Sequence, residues 1–420
     1  MYNKHNMEDT IFIQIAAYRD PELVPTIKDC IANAAKPENL IFSIAWQHSD
    51  TDEWDNLDEF KNDTRFRIID IDYRKSKGCC WARNALQQNY AGEKYTLQLD
   101  SHHRFVKDWD KQLIEMYNQL RLKGVNKPLL TGYLPSYTID NEPAGRVMSP
   151  YKMNFDRFIP EGAVFFLPTA IENWQDLTEP VPARFYSAHF AFTTGDFVRE
   201  VQHDPQYYFH GEEISIGVRA FTHGYDLFHP HRLIAWHEYT RAARTKHWTD
   251  NTNWHIQNTE SHLRNRKLFE MDGLKRDYSF GIYDFGTVRT LEDYEKYAGI
   301  SFKKRAVQAY TLKHNPAPNP VLNDDDYEQS FCKQFKHCLD LHKSIFRVPD
   351  IEFTAVIFED ESGQVYRQDA SVEEINSLMN TPDDYIKMWR TFEAERMPKQ
   401  YVIWPFIKGI GWGQKIVKAI

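Results

Sequence analysis

The feature that most constrains this chain is a rhythm in its first hundred residues. Residues 11–17 (IFIQIAA), 40–46 (LIFSIAW), 66–71 (FRIIDI) and 95–99 (YTLQL) are short apolar runs. Runs that stay apolar instead of alternating are what strands covered on both faces look like. Between the first two, residues 22–35 (ELVPTIKDCIANAA) put Leu23, Ile27, Cys30 and Ile31 on one helical face, with Pro25 early enough to sit in a first turn. A second helix is expected over 80–90, just after Gly78, and a third at about 108–122. Strand and helix in alternation predict an α/β fold, a mostly parallel sheet flanked by helices. Ligands of such sheets bind beyond the carboxyl ends of the strands. The fourth run ends there on Asp100-Ser101-His102.

The rest of the chain is less regular. Residues 129–200 read as strands and long loops, 212–223 as a helix closed by Gly224, 225–228 as a short strand and 255–270 as a polar helix. The stretch 314–326 (HNPAPNPVLNDDD) has linker chemistry, so a catalytic domain is expected over 8–313 and a smaller α+β region over 327–420. In that region a helix is expected at about 327–343, strands at 351–358 and 364–367, and a helix after Ser371, where Ser-Val-Glu-Glu makes a capping box. From Arg396 to the end there are five basic residues and no acid, interleaved with Tyr401, Trp404, Phe406 and Trp412. If helical, Phe406, Ile410, Val417 and Ile420 would share one face. The tail then has two readings: a peripheral contact with an anionic membrane, or a structural element packed on the protein.

The formal net charge of −9 argues against a nucleic-acid partner, which would meet phosphate with a basic surface. Five cysteines without a CxxC pair suggest neither a disulfide framework nor a cysteine zinc site. The polar start lacks a signal-peptide core, and no run approaches the roughly 20 apolar residues of a membrane span. A cytoplasmic location is expected.

Chemistry concentrates at a few places. Asp100 and His102 offer a carboxylate and an imidazole two residues apart at an open strand end, a pair suited to a divalent ion such as Mn²⁺. Each also has an ordinary reading, as a turn residue or a cap. Lys77-Gly78-Cys79-Cys80-Trp81-Ala82-Arg83 combines a glycine turn, a helix start and an arginine, all favourable to phosphate. Gly211-Glu212-Glu213 places two carboxylates at a helix start, and His237 closes the apolar run Ile234-Ala235-Trp236. His103, His189, His223, His229 and His231 read as loop and core histidines. Trp174 and Trp248 have a sugar-stacking reading beside the core one.

Five segments in one order carry a resemblance: YRDPE, GCCWARN, LQLDSHHRF, HGEEISIGVRAFTHGYDLFHP and AWHEYTR. Together they resemble the GlcNAc-transferase family, which includes an enzyme that modifies hydroxyproline in a cytoplasmic protein. More distantly they resemble the polypeptide GalNAc-transferases. The likeness spans roughly residues 10–250 and implies a GT-A (Rossmann-like) catalytic domain. It implies that Asp100 and His102 form the DxH metal and diphosphate site, with His237 as third ligand. It implies that Tyr18, Arg19 and Arg83 contact the nucleotide, and that Glu212 and Glu213 contact the donor sugar or the acceptor hydroxyl. It implies a UDP-sugar donor, a Mn²⁺ or Mg²⁺ cofactor and retention of anomeric configuration. The acceptor stays open between a glycan and a protein. Two other readings use the same sheet: a sugar-phosphate nucleotidyltransferase, which the glycine-free AAYRDPELVP disfavours, and a non-catalytic carbohydrate-binding protein.

Overall fold

The computed structural model describes residues 9–159, 161–240, 244–332, 334–394 and 397–420. Arg241 of the AWHEYTR segment and Arg396 at the start of the tail lie outside the described residues. The chain forms two units: one made of the residues up to Asp156 with Glu161–Gly299 and Tyr310–Val321, the other of Arg157–Pro160, Ile300–Ala309 and Leu322–Ile420.

The first unit is built on an eight-stranded sheet. β1 (Ile11–Tyr18), β2 (Leu40–His48), β3 (Phe66–Asp72) and β4 (Tyr95–Leu99) are the four apolar runs. They lie side by side and parallel in the order β3-β2-β1-β4. The sheet continues with Phe190–Thr194, Pro128–Thr131, Asp226–His229 and Val181–Pro182. Phe190–Thr194 runs antiparallel to both neighbours. The expected mostly parallel α/β sheet is therefore present, with Phe190–Thr194 reversed just past its centre and the short edge strand Val181–Pro182 antiparallel to its neighbour.

Apolar burial explains why these elements assemble. Ile13, Ile15, Phe42, Ile44, Leu97 and Leu99 share a core with Leu23, Ile27 and Cys30 of α1 (Leu23–Asn33) and with Trp109, Leu113 and Met116 of α3 (Trp109–Leu122). Ala45 and Ile71 pack with Ala82 and Leu86 of α2 (Cys79–Gln87). Gly78 holds φ +104° at the start of α2, and a Cβ there would come within 2.8 Å of the Tyr208 ring, so glycine is required on both counts.

A two-stranded ladder then brings the site together. β5 (His103–Phe105) pairs antiparallel with Ala235–His237, and the register sets His237 opposite His103. Part of the expected linker is held in this unit. Arg184 donates to the carbonyls of Asn315 and Pro316 and to Asn319 Oδ1, all at 2.6–3.0 Å.

The second unit is mainly antiparallel. Its sheet joins Gly363–Arg367, Ile351–Asp360 and Gln400–Ile407, with Gly411–Trp412 and Ile416–Ala419 added to the last. Ser371 caps the helix Val372–Met379 as its sequence predicts, accepting from the Glu374 amide.

Two expectations are corrected here. The helix over 327–343 is a short turn of helix, Asp324–Gln329, followed by the strand Gln334–His342. The reason is period two: Phe335, Leu339 and Leu341 are buried against Ile386 and Met388 of the paired strand Tyr385–Glu393, while Cys338 and Asp340 point outward. The tail is also strand. Gln400–Ile407 is a central strand with Tyr401, Val402 and Ile403 buried, so the amphipathic helical face does not form. No helix among the described residues is long and apolar enough to cross a membrane.

Candidate active site

Asp100 follows the last residue of β4, His102 is two residues on, and His237 arrives through the β5 ladder. His237 Nε2 lies 3.4 Å from Asp100 Oδ2, and His102 Nε2 lies 3.6 Å from the same oxygen. One ligand atom from each of the three lies within 4.8 Å of the others. Donors bonded to one ion at about 2.0–2.2 Å stand roughly 3–4 Å apart, which is the spacing of the two imidazole nitrogens from Asp100 Oδ2. A carboxylate with two imidazoles is also a suitable donor set for Mn²⁺, so these residues fit a divalent ion.

The surroundings keep the donors ready. His102 Nδ1 donates to Asp20 Oδ2 at 2.7 Å, which leaves Nε2 with its lone pair facing Asp100. Ser101 Oγ donates to the same Asp20 oxygen at 2.6 Å. Burial holds His237 well below the usual imidazole range, so it stays neutral, as a ligand must be. Its ring stacks on His189 at 4.2 Å between centroids, and burial keeps His189 neutral too. Burial alone would raise Asp100, but the His237 contact and the Arg83 charge hold its carboxyl well below the usual range.

Arg83, 4% exposed, bridges the two acidic motifs. Its Nη2 donates to Asp100 Oδ1 at 2.6 Å, and its Nη1 donates to both Glu212 oxygens at 2.7 and 2.8 Å. His203 Nδ1 approaches Glu212 at 2.7 Å. Burial opposes ionisation of Glu212, yet Arg83 and His203 bring its pKa down to about 2. Glu213 goes the other way. Burial pushes it up to about 7, only partly offset by the Ala188 amide at 3.0 Å and the Tyr133 hydroxyl at 2.9 Å. Two adjacent glutamates are thus split into a fixed anion and a carboxyl that is largely protonated below neutral pH.

Two cavities meet at Cys79, Asp100, Phe209 and His237. The first is lined by Tyr18, Gln47, Ser76, Gly78, Arg244 and Trp248. His247 also lines it, accepting from the Tyr208 hydroxyl at 2.7 Å. The second is lined by Tyr133, Phe165, His189, Glu213 and Tyr239, with Arg83 and Glu212 at its base.

The structure brings Asp100, His102, His237, Arg83, Glu212 and Glu213 together, and Tyr18 onto the first cavity wall. Arg19 is not among the residues lining either cavity. It pairs with Asp52 at 2.6 Å and Asp250 at 2.9 Å, and the Tyr18 hydroxyl also donates to Asp250. Trp248 lines the first cavity, whereas Trp174 lines neither.

Sequence reasoning misses Asp20, Arg244, Tyr133 and the stacking role of His189. Asp20 stands inside the YRDPE segment, but nothing in the sequence pairs it with a histidine 82 residues away. Arg244 follows His237 by a few residues, a spacing that hints at a shared loop and no more.

The model of the glycosyltransferase (GlcNAc) family matches residues 10–65 and 55–304. No curated protein matches the chain. Among solved structures, GalNAc-T7 with UDP, GalNAc and Mn²⁺ aligns at TM-score 0.48 and 12% identity, covering 68% of this chain and 54% of that one. Residues 1–349 of S. aureus TarS with UDP-GlcNAc align at TM-score 0.37 and 10% identity, covering 58% and 61%. A longer S. aureus TarS structure aligns at TM-score 0.38 and 8% identity, covering 98% and 85%. The chain thus spans about half of the GalNAc-T7 structure and three-fifths of the TarS fragment. With a family model matching well over half of its length, this chain belongs to the glycosyltransferase (GlcNAc) family.

Proposed function

We propose that this glycosyltransferase moves GlcNAc, or a close N-acetylhexosamine, from a UDP-sugar to a hydroxyl of a glycan or protein, with retention at the anomeric carbon. The observation that carries the reading is the convergence of Asp100, His102 and His237 at the junction of two cavities. The first cavity, with its aromatic wall of Tyr18, His247 and Trp248, suits a nucleotide. The second, with Glu213 and Tyr133 among apolar rings, suits a sugar and the incoming hydroxyl.

Asp100, His102 and His237 would hold Mn²⁺ or Mg²⁺, which when bound supplies Lewis-acid neutralisation of the departing diphosphate. The protein's own groups do the rest. Asp20 orients the His102 ring, Arg83 fixes Asp100, and Glu212 holds Arg83 in place. Glu213 offers a carboxyl to the sugar or the acceptor hydroxyl.

The test is a panel of UDP-sugars assayed for slow donor hydrolysis with Mn²⁺, which needs no acceptor. UDP-GlcNAc should turn over fastest, and Asp100→Ala and His102→Ala should each abolish the Mn²⁺-stimulated rate while leaving the fold intact. Wild-type turnover by the Asp100→Ala protein would mean the site is elsewhere.

A further inference from the structure

We infer that His189 is a specificity-determining residue whose Nδ1–H donates to the acetamido carbonyl of the donor sugar. The inference rests on the N-acetylhexosamine reading above. His189 stands just before the strand Phe190–Thr194 and lines the second cavity but not the first. The Leu134 amide donates to its Nε2 at 3.1 Å. A backbone N–H can only donate, so Nε2 carries the lone pair and the ring proton sits on Nδ1. Tyr239 leaves this tautomer undisturbed, because its hydroxyl donates to the Leu134 carbonyl at 2.7 Å.

Nδ1 has no hydrogen-bond partner among the described residues. Nor is it sealed in the interior, as His103 Nε2 and His237 Nδ1 are. The ring is held in place. It stacks on His237 at 4.2 Å and on Tyr133 at 5.0 Å between centroids, and the Leu134 contact fixes its rotation. The fold thus presents a fixed N–H on the wall of the second cavity. A donor kept from water without an acceptor costs free energy, which a ligand oxygen in that cavity would recover.

Chemistry narrows the choice of oxygen. A sugar hydroxyl both donates and accepts, whereas an acetamido carbonyl only accepts and must meet a donor. The Tyr133 hydroxyl and the Ala188 amide on the same wall are already given to Glu213. The rings of Tyr133, Phe165 and Tyr239 line the same cavity and suit the acetamido methyl. A 2-hydroxyl in place of the acetamido group offers neither the carbonyl nor the methyl.

The experiment compares Mn²⁺-dependent hydrolysis of UDP-GlcNAc and UDP-glucose, read as the ratio of their kcat/KM values. The two donors share uridine, diphosphate and metal, so a loss at those contacts cancels in the ratio. Two substitutions separate the two nitrogens of His189. In His189→Asn the side-chain amide falls near the Nδ1 position and keeps a donor there. In His189→Gln it reaches the Nε2 position, where it accepts from Leu134 and leaves nothing at Nδ1. Wild type should prefer UDP-GlcNAc. His189→Gln should cut the ratio about 10- to 100-fold, the usual effect of leaving one polar partner unpaired. His189→Asn should stay close to the wild-type ratio.

An unchanged ratio in His189→Gln would overturn the inference, whatever happens to the absolute rates, because support of His237 alone affects both donors equally. So would a ratio that falls in His189→Asn, which marks a tether for Leu134. If the Gln form does not fold, the Asn form decides on that second outcome. Where turnover is too slow to read, the ratio of the two donors' affinities by calorimetry replaces it. A wild type that hydrolyses UDP-glucose as well as UDP-GlcNAc would reject the N-acetylhexosamine reading itself, and the inference with it.

Discussion

Asp20 Oδ2 accepts from His102 Nδ1 at 2.7 Å, so a residue in the loop after the first strand sets which nitrogen of His102 faces Asp100. Carboxylates behind metal-ligating histidines typically contribute 10- to 100-fold to metal affinity by fixing tautomer and ring orientation. Asp20→Asn should therefore weaken Mn²⁺ binding by about 10- to 100-fold, with the fold retained. Titration calorimetry on the two proteins reads this directly. An unchanged affinity would show that the pair holds the β1 loop and does nothing for the metal.

Arg83 carries a different load. It is the shared partner of Asp100 and Glu212, and both it and Glu212 are almost fully buried. Removing one member of a buried ion pair leaves the other charged and unpaired, at a cost of about 3–5 kcal/mol. Arg83→Met should destabilise the first unit by about that amount, seen as a lower denaturant midpoint. The double variant Arg83→Met/Glu212→Gln should recover part of the loss, because the stranded charge is gone. Arg83→Lys should not restore wild-type stability, since one ammonium cannot reach Glu212 and Asp100 with two separate nitrogens as the guanidinium does.

How much of this was legible in the sequence follows from the range of each signal. The first four strands and the three helices up to residue 122 are encoded locally, by apolar runs and helical periodicity, and they form as expected. Asp100 and His102 were visible because one strand delivers both. The pairing of Asp20 with His102, and the place of Arg244, depend on long-range packing that no local pattern records. Residues 334–342 failed for another reason: QFKHCLDLH carries a period-two pattern, but His337 and Cys338 blur its polarity, and the acidic run Asp324–Asp326 before it invites a helix start.

Glu213 makes stability depend on pH. Its carboxyl is raised from 4.5 to about 7 in the folded protein, chiefly by burial. Between those values the folded state holds a proton that the unfolded state has released. Stability from this residue is therefore fully present below about pH 4.5 and is lost as pH rises through about 7. The total loss is on the order of 3 kcal/mol. Glu213→Gln keeps the size and removes the titration. The difference in unfolding free energy between the two proteins should rise across that window in favour of Gln, then level off above it. A difference that is flat from pH 4 to 8, or that moves the other way, would show Glu213 ionised in the fold.

The same geometry bears on stereochemistry. A single inverting displacement needs a general base close to the acceptor hydroxyl, with its lone pair free. Glu212 is committed to Arg83 and is held at a pKa of about 2, too low for a good base. Glu213 is raised to about 7 and already accepts from the Ala188 amide and the Tyr133 hydroxyl. His189 is neutral, but its Nε2 accepts from the Leu134 amide at 3.1 Å, so that lone pair is occupied. None of these is a free base, which favours retention over inversion. The product formed from an α-configured UDP-sugar should carry an α linkage, read from the anomeric proton coupling of freshly made material. Glu213→Gln should then slow transfer without changing the anomer. A β-linked product from the wild-type protein would reject retention and make Glu213, as the only one of the three with a pKa near neutrality, the base to test next.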